Sequence, residues 1–171
     1  MIAPTTTRTA VRALLTWAEA TAVGHFMRES GPWTYAWVNV VHVLAIAALF
    51  GSVLVVDLRL LGFGRRLSLS SIAAAATPIT AAAVFVALIS GSMLLTTKAT
   101  AYIDNPFLLI KLPVVALAIV NASLIRLSSA WRASQTRELL PPERRKLAVM
   151  AAISLSCWLT AIVCGRMIGY W

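Results

Sequence analysis

Charged residues and cysteines are both scarce in this sequence. Asp, Glu, Lys and Arg make up 12% of its 171 residues, about half the share that is typical of a soluble domain. Hydrophobic residues make up 60%, and the mean hydropathy is +0.83. A water-soluble protein of this size cannot bury so much apolar surface, so lipid is predicted to be the solvent for most of the chain.

The few cysteines and acidic residues form no familiar catalytic arrangement. Cys157 and Cys164 lie seven residues apart in one apolar run, which places them ~10 Å apart along a helix axis. A disulfide needs Cα atoms within about 7 Å, so the two cannot bridge. The sequence has no CxxC motif, catalytic triad, paired-carboxylate site or phosphate loop. We therefore predict that the chain is not an enzyme.

Four apolar runs are long enough to cross a membrane. They cover residues 35–58, 72–96, 106–127 and 147–170. A shorter segment, residues 8–29, is apolar on one side only and is predicted to be an amphipathic helix at the membrane interface. Gly31 and Pro32 end it, because this pair favours a turn. The predicted fold is all-α: one domain over residues 1–171, built as an integral membrane four-helix bundle with an N-terminal amphipathic helix.

The net charge of +9 gathers between the apolar runs. An even number of spans places the loops after the first and third span on one side, with nine Lys and Arg residues against six on the other. Basic loops usually face the cytoplasm, so both termini are predicted to lie outside. Basic loops of this kind contact anionic lipid, and nucleic acid is not expected as a partner.

His42 lies inside the apolar run that forms the first predicted span. An ionisable side chain within a membrane is energetically expensive, so its presence indicates a functional site. His25 precedes the turn at Gly31 and Pro32 and is the only other histidine. If the amphipathic segment folds back along the first span, the two imidazoles face one small space.

Two convergent imidazoles are what a six-coordinate b-type haem requires, and imidazole with thioether ligands also suits copper. Basic side chains near the same membrane face are expected to hold haem propionates. The predicted cofactor ligands and propionate partners are His42, His25, Arg28, Lys111 and Arg166, and the metal alternative uses His42, His25 and Met167.

Simpler roles for the same residues stay open. His42 can hydrogen-bond a neighbouring helix, with Ser90, Ser92 or Asn121 as candidate partners. Lys111 and Arg166 lie near helix ends, where they can reach the lipid headgroups. Asp57 and Arg59 lie at the inner end of the first span. Asp57 is predicted to form a structural ion pair with Arg59, or with Arg65 or Arg126, and a proton-relay role is the alternative.

Several motifs resemble a family of small bacterial four-helix membrane proteins that has no settled activity. The motifs are Arg28-Glu29-Ser30, Trp33, His42-Val-Leu, Gly51, Asp57-Leu-Arg-Leu-Leu-Gly62, Tyr102, Asn105-Pro106-Phe107 with Lys111, and Gly165-Arg166-Met-Ile168-Gly-Tyr170. The resemblance implies four spans in the bacterial inner membrane. A looser similarity to cytochrome b561-type bundles and copper-resistance membrane proteins rests on four helices and an intramembrane histidine.

Three functions are therefore expected to compete. The first is a membrane subunit of a larger assembly, or of a homo-oligomer, which can also be a b-type haem electron carrier. The second is a protein that handles or transports a metal such as copper. The third is a haem-free structural scaffold.

Overall fold

The computed structural model describes residues 5–171, without the side chains of residues 5–8 and 11. Residues 1–4 of the predicted single domain lie outside the described part. Every regular element between residues 5 and 171 is helical. The elements are α1 (Thr5–Glu19), α2 (Ala22–Glu29), α3 (Pro32–Leu61), α4 (Leu69–Thr96), a 3₁₀ helix (Ala99–Tyr102), α5 (Pro106–Leu127), α6 (Ser129–Ser134), α7 (Pro141–Met167) and a final 3₁₀ turn (Ile168–Tyr170). The all-α four-helix prediction is confirmed.

Helices α3, α4, α5 and α7 are long and apolar enough to cross a membrane. They pack as two hairpins, α3 with α4 and α5 with α7, and the contact of α3 with α7 joins the hairpins. The alternating direction puts the start of α3 and the end of α7 at one end of the bundle. We call this the terminal end; it also holds α1, α2 and the 3₁₀ helix Ala99–Tyr102. The opposite end, with residues 62–68 and 128–140, is the loop end.

Two apolar clusters fill the bundle at different depths. Near the loop end, Leu60 and Leu147 pack with alanines of α6 and α7. Towards the middle, Leu49 and Trp158 pack with Ala83 and Ala118, so that all four long helices meet. Large apolar side chains face outward along every long helix. Such an exterior matches a lipid solvent, since lipid tails are as apolar as the side chains.

The N-terminal segment forms two helices, where one amphipathic helix over residues 8–29 was predicted. Thr21 interrupts it: its hydroxyl accepts a hydrogen bond from the amide of Gly24 and caps α2. A Cβ on Gly24 would lie 2.4 Å from the carbonyl oxygen of Glu19, so only glycine allows α2 to start this close to the end of α1. Both helices fold across the terminal end, against α4 and the 3₁₀ helix.

The ends of the long helices follow local capping. Asn105 caps α5 by accepting hydrogen bonds from the amides of Phe107 and Leu108. Helix α7 begins at Pro141, six residues before the predicted span, because proline is favoured at the first helical position. Glu143 stabilises this start by accepting a hydrogen bond from the amide of Leu140. The span prediction followed hydropathy alone and missed this polar first turn.

Candidate functional site

His42 projects from α3 towards α4 in the terminal half of the bundle. Its Nδ1 lies 2.9 Å from the hydroxyl oxygen of Ser90, and the histidine is half-buried while Ser90 is buried. Ser90 was one of three partners considered for this histidine from the sequence. The structure therefore shows the interhelical hydrogen bond that the simpler reading of His42 expected.

The Ser90 hydroxyl fixes which nitrogen of His42 carries hydrogen. Ser90 donates its own proton to the carbonyl oxygen of Val86, 2.6 Å away. With the Ser90 proton assigned to this shorter contact, the Ser90 oxygen accepts from His42, and Nδ1 is assigned as the nitrogen that donates. A neutral His42 then presents Nε2 as a lone pair, which is the form that accepts a proton or binds a metal.

Gly91 lets the imidazole lie against the backbone of α4. A Cβ at this position would stand 2.8 Å from Cε1 of His42, closer than real Cβ atoms approach a neighbour. Small residues of this kind allow close helix contact inside membranes. The pair Ser90-Gly91 thus holds the ring in place, one residue by a hydrogen bond and the other by its lack of a side chain.

Lys111 lies opposite, on α5, and its ammonium turns towards the inside of the bundle. The position of a Cβ on Gly165 of α7 would be 3.1 Å from Nζ of Lys111. Gly165 lies two residues before the end of α7 at Met167, and Lys111 lies five residues after the start of α5 at Pro106, so the side chain crosses from α5 to α7 near the terminal end. The ammonium also lies close enough to His42 to interact electrostatically. Among the described residues, Lys111 has no anionic partner.

His25 is not brought to this site. It lies on α2 with a side chain that is 56% exposed, and its Nδ1 contacts the carboxylate of Glu29 at 3.3 Å. Helix α2 buries Gly24 and Met27, and His25 lies on the opposite face. The expectation that His25 and His42 share one space is therefore corrected: the two imidazoles have different partners and different surroundings.

Two predicted propionate partners have other contacts. Arg28 donates hydrogen bonds to the carbonyl oxygens of Glu19 and Thr96, and so caps the C-terminal ends of α1 and α4. Arg166 contacts the hydroxyl of Tyr170 and lies 4.7 Å from the centre of its ring. Met167, the predicted thioether ligand, is partly exposed at the end of α7. In residues 5–171 no three His, Cys, Asp or Glu side chains converge as a metal site.

The predicted ion pair of Asp57 with Arg59 is not formed. Arg59 donates to the carbonyl oxygens of Leu67 and Arg65 in the loop after α3. Asp57 is buried instead and faces Ser154 of α7. Residues two apart on a helix point in different directions, which explains why the two charges separate.

Sequence reasoning missed the residues that surround His42 and Lys111 from other helices. Gly91 and Cys164 belong to none of the motifs, and Gly165, which opens the motif Gly165-Arg166-Met, was not predicted to contact Lys111. Their role depends on the rotation of each helix about its axis, which a single sequence does not fix. The one usable signal was the neighbouring pair Ser90-Gly91, a hydrogen-bonding residue beside the smallest one.

The fold and the site together define the class of protein: a small all-α chain with four helices able to cross a membrane and ionisable side chains between them. The chain belongs to the family of unknown function DUF6644, whose family model matches residues 14–171. This agrees with the resemblance to a membrane-protein family without a settled activity, while no match supports the similarity to cytochrome b561 or copper-resistance proteins. No curated protein and no solved structure matches the chain.

Proposed function

We propose that this chain is an integral membrane protein that binds an amphipathic carboxylic acid at His42 and Lys111. The observation that carries the proposal is the inward position of the Lys111 ammonium, which has no anionic partner among the described residues. A charged group inside a membrane bundle normally pairs with an opposite charge or with a ligand. A carboxylate supplies the missing charge.

The second group of the site, His42, is able to take up the proton of a carboxylic acid. Because Ser90 makes Nδ1 of His42 the donor, Nε2 is left to accept a proton. A carboxylic acid transfers its proton to such a nitrogen, so that its O–H bond breaks and an N–H bond forms; the resulting carboxylate then accepts hydrogen bonds from the imidazolium and from the ammonium. An amphipathic acid also reaches the site from the lipid, since its apolar part is soluble there.

The test compares an acid with its own ester. Protein in phosphatidylcholine nanodiscs is titrated with oleate and with methyl oleate, and binding is followed by the carbonyl signal of ¹³C-labelled ligand. We expect wild type to bind oleate about tenfold more tightly than the ester, equivalent to about 1.4 kcal/mol. Equal binding of both by the wild type overturns the proposal.

Three lysine variants distinguish an effect of the Lys111 charge on binding from an effect on folding. Lys111→Met keeps an unbranched apolar stem and should remove the preference for oleate, whereas Lys111→Arg keeps the charge and should retain part of it. Lys98 is exposed at the same end of the bundle, so Lys98→Met is the matched control and should behave as wild type. A preference that survives in Lys111→Met contradicts the role given to this lysine.

Haem b is a second candidate, because one molecule presents both an iron and propionates. The Nε2 lone pair of His42 suits the iron, and Lys111 suits a propionate. The close contact of His42 with Gly91 counts against a macrocycle between α3 and α4. Haem reconstitution decides the question: a Soret band lost in His42→Ala and kept in His25→Ala supports haem, and no band in wild type rejects it.

The membrane-subunit, copper-handling and scaffold hypotheses, and the expectation that the chain is not an enzyme, stay predictions. Location in the bacterial inner membrane, with both termini outside, also stays a prediction, and the basic residues at the loop end support it. A reporter fused after Trp171 that is active only in the cytoplasm should be silent. Mild-detergent purification that yields a partner in fixed ratio would favour the subunit hypothesis.

A further inference from the structure

Asp57 is an acidic side chain sealed inside the bundle near the loop end. The residue is 3% exposed, and its atom Oδ2 has no hydrogen-bond partner among the described residues. Ser154 of α7, also 3% exposed, is within hydrogen-bonding reach of the carboxyl. A buried carboxylate oxygen without a partner is energetically expensive, so its charge must be compensated or removed.

No side chain around Asp57 supplies a compensating positive charge. On its own helix, Arg59 is bound to loop carbonyls. Helix α7, which packs against it, has no ionisable Asp, Glu, Lys or Arg between Lys146 and Arg166, and α4 has none at all. Arg126 of α5 is exposed. The carboxyl is thus surrounded by neutral groups.

A second buried polar group on the contact between α3 and α7 is also unsatisfied. Trp158 lies one turn beyond Ser154 on α7, and its Nε1 is buried without a hydrogen-bond partner. Trp158 packs in the apolar cluster with Leu49 and Val53 of α3, the turns that precede Asp57. An unpaired acceptor and an unpaired donor therefore lie along the contact between α3 and α7, which we call the α3–α7 seam.

The few oxygen atoms available at Asp57 suit a proton better than a metal cation. Metal ions such as Ca²⁺ and Mg²⁺ need six or more oxygen ligands, and residues 5–171 offer no group of three acidic, His or Cys side chains. A proton needs one oxygen. A protonated carboxyl is neutral, and it has both a donor and an acceptor for its neighbours.

We propose that Asp57 is a proton-binding site of the α3–α7 seam, protonated while the seam is closed and ionised only when water reaches it. The step is a simple transfer: a hydronium ion gives its proton to Oδ2 and leaves water, and the reverse returns it. Asp57 lies four residues before the end of α3, about 6 Å from the loop end. Exchange is therefore with the solution on that side. This inference is independent of the ligand proposed for His42 and Lys111.

Infrared spectroscopy of the full chain in micelles of an ester-free detergent such as dodecyl maltoside tests the proposal without any ligand. A protonated carboxyl has a C=O stretch that is separate from carboxylate and amide bands. At neutral pH we expect wild type to show this band and Asp57→Asn to lack it. Glu138→Gln removes an exposed carboxyl and should leave the band unchanged. A wild type without the band, or a band that persists in Asp57→Asn, overturns the proposal.

A second variant keeps the test decisive if Asp57→Asn does not fold. Ser154→Ala removes the hydroxyl beside the carboxyl and leaves Asp57 in place. The band should then shift to higher frequency, because a C=O group vibrates faster when it loses a hydrogen bond. A band that does not move shows that the protonated group is elsewhere and contradicts the assignment.

Discussion

Helix α3 packs along two other long helices, α4 and α7, and its polar contacts with them differ. Towards α4, His42 bonds Ser90 at 2.9 Å and Ser52 bonds Thr80 at 2.8 Å. Towards α7, Asp57 keeps an oxygen without a partner, and the buried Nε1 of Trp158 has none either. At the α3–α4 contact the polar side chains are paired between the helices. At the α3–α7 contact a carboxyl oxygen and an indole N–H are left without hydrogen-bond partners.

The difference indicates that paired polar side chains stabilise the structure of this small bundle, whereas an unpaired one remains available for chemistry. Paired hydroxyls inside a membrane fix the register of two helices, and each such bond adds only about 0.6 kcal/mol on average. An unpaired buried group weakens the fold, so its presence points to a strained, solvated or functional position. We therefore expect the paired groups of the α3–α4 seam to orient His42 for its ligand, and Asp57 on the α3–α7 seam to change protonation without a ligand.

The largest expected effect comes from Trp158, which anchors the α3–α7 seam. Trp158→Ala should lower the free energy of unfolding by about 3 to 5 kcal/mol, because a large buried ring leaves a cavity. Trp158→Phe should be milder, since it keeps most of the ring and removes the unpaired N–H. Trp37 is 66% exposed, so Trp37→Ala is the control and should change much less. Unfolding in mixed micelles measures all three; equal losses for Trp158→Ala and Trp37→Ala would contradict the comparison.

The next effect tests the close contact on the α3–α4 seam. Gly91→Ala places a methyl group 2.8 Å from Cε1 of His42. The ring has to move, and overpacking of this kind costs about 1 to 3 kcal/mol. Gly51 of α3 has nothing within 4 Å of the same position, so Gly51→Ala is the control and should be neutral or slightly stabilising. The NMR signal of the His42 ring should shift only in Gly91→Ala; no shift would show that the contact is loose.

Hydropathy was enough to predict the long helices. The third span, residues 106–127, coincides with α5 because Asn105-Pro106 is a strong local start signal. The first span was placed at residues 35–58, inside the longer helix Pro32–Leu61. These features depend on the composition of one segment at a time, which is why a single sequence contains them.

The site was predicted only in part, because it depends on contacts between segments. His42 was recognised from its apolar surroundings, but Ser90 was one of three possible partners. His25 was predicted to lie near His42, but α2 buries the face with Gly24 and Met27 and leaves His25 exposed. Asp57 was assigned to Arg59, the nearest charge in sequence, although a helix turns those two side chains apart. Helix rotation decides each of these cases.

A smaller effect concerns the hydrogen bond of Ser52 with Thr80. A double-mutant cycle with Ser52→Ala and Thr80→Val should give a coupling energy of about 0.6 kcal/mol, the average for such bonds in membranes. Each hydroxyl also lies within hydrogen-bonding distance of a carbonyl of its own helix, so one hydroxyl donates across the helices while the other donates to its own carbonyl, and this choice softens the single losses. Unfolding in mixed micelles measures the four variants. A coupling energy of zero would mean that this seam is held by packing alone, and the contrast with the α3–α7 seam would weaken.

The smallest effect concerns Glu19, a carboxyl at the terminal end whose environment is the reverse of that of Asp57. Thr100 donates to it from its amide at 2.7 Å and from its hydroxyl at 2.9 Å. These bonds lower the pKa of Glu19 from its ordinary value of 4.5. A depressed pKa means that the carboxylate stabilises the docking of α1 above pH 4.5 and that this contribution is lost as pH falls through the folded-state pKa.

Hydrogen exchange at the Thr100 amide measures this loss, with the Phe107 amide as the internal control. Phe107 donates to the neutral side chain of Asn105 at 3.0 Å, so its protection should not follow the same titration. Glu19→Ala should expose the Thr100 amide at every pH and leave the Phe107 amide protected. Equal pH dependence of both amides would show that the whole terminal end loosens in acid. Protection of the Thr100 amide would then measure the stability of the whole terminal end and not the Glu19 hydrogen bond. The contrast between a hydrogen-bonded carboxyl and one with an unpaired oxygen would then depend on Asp57 alone.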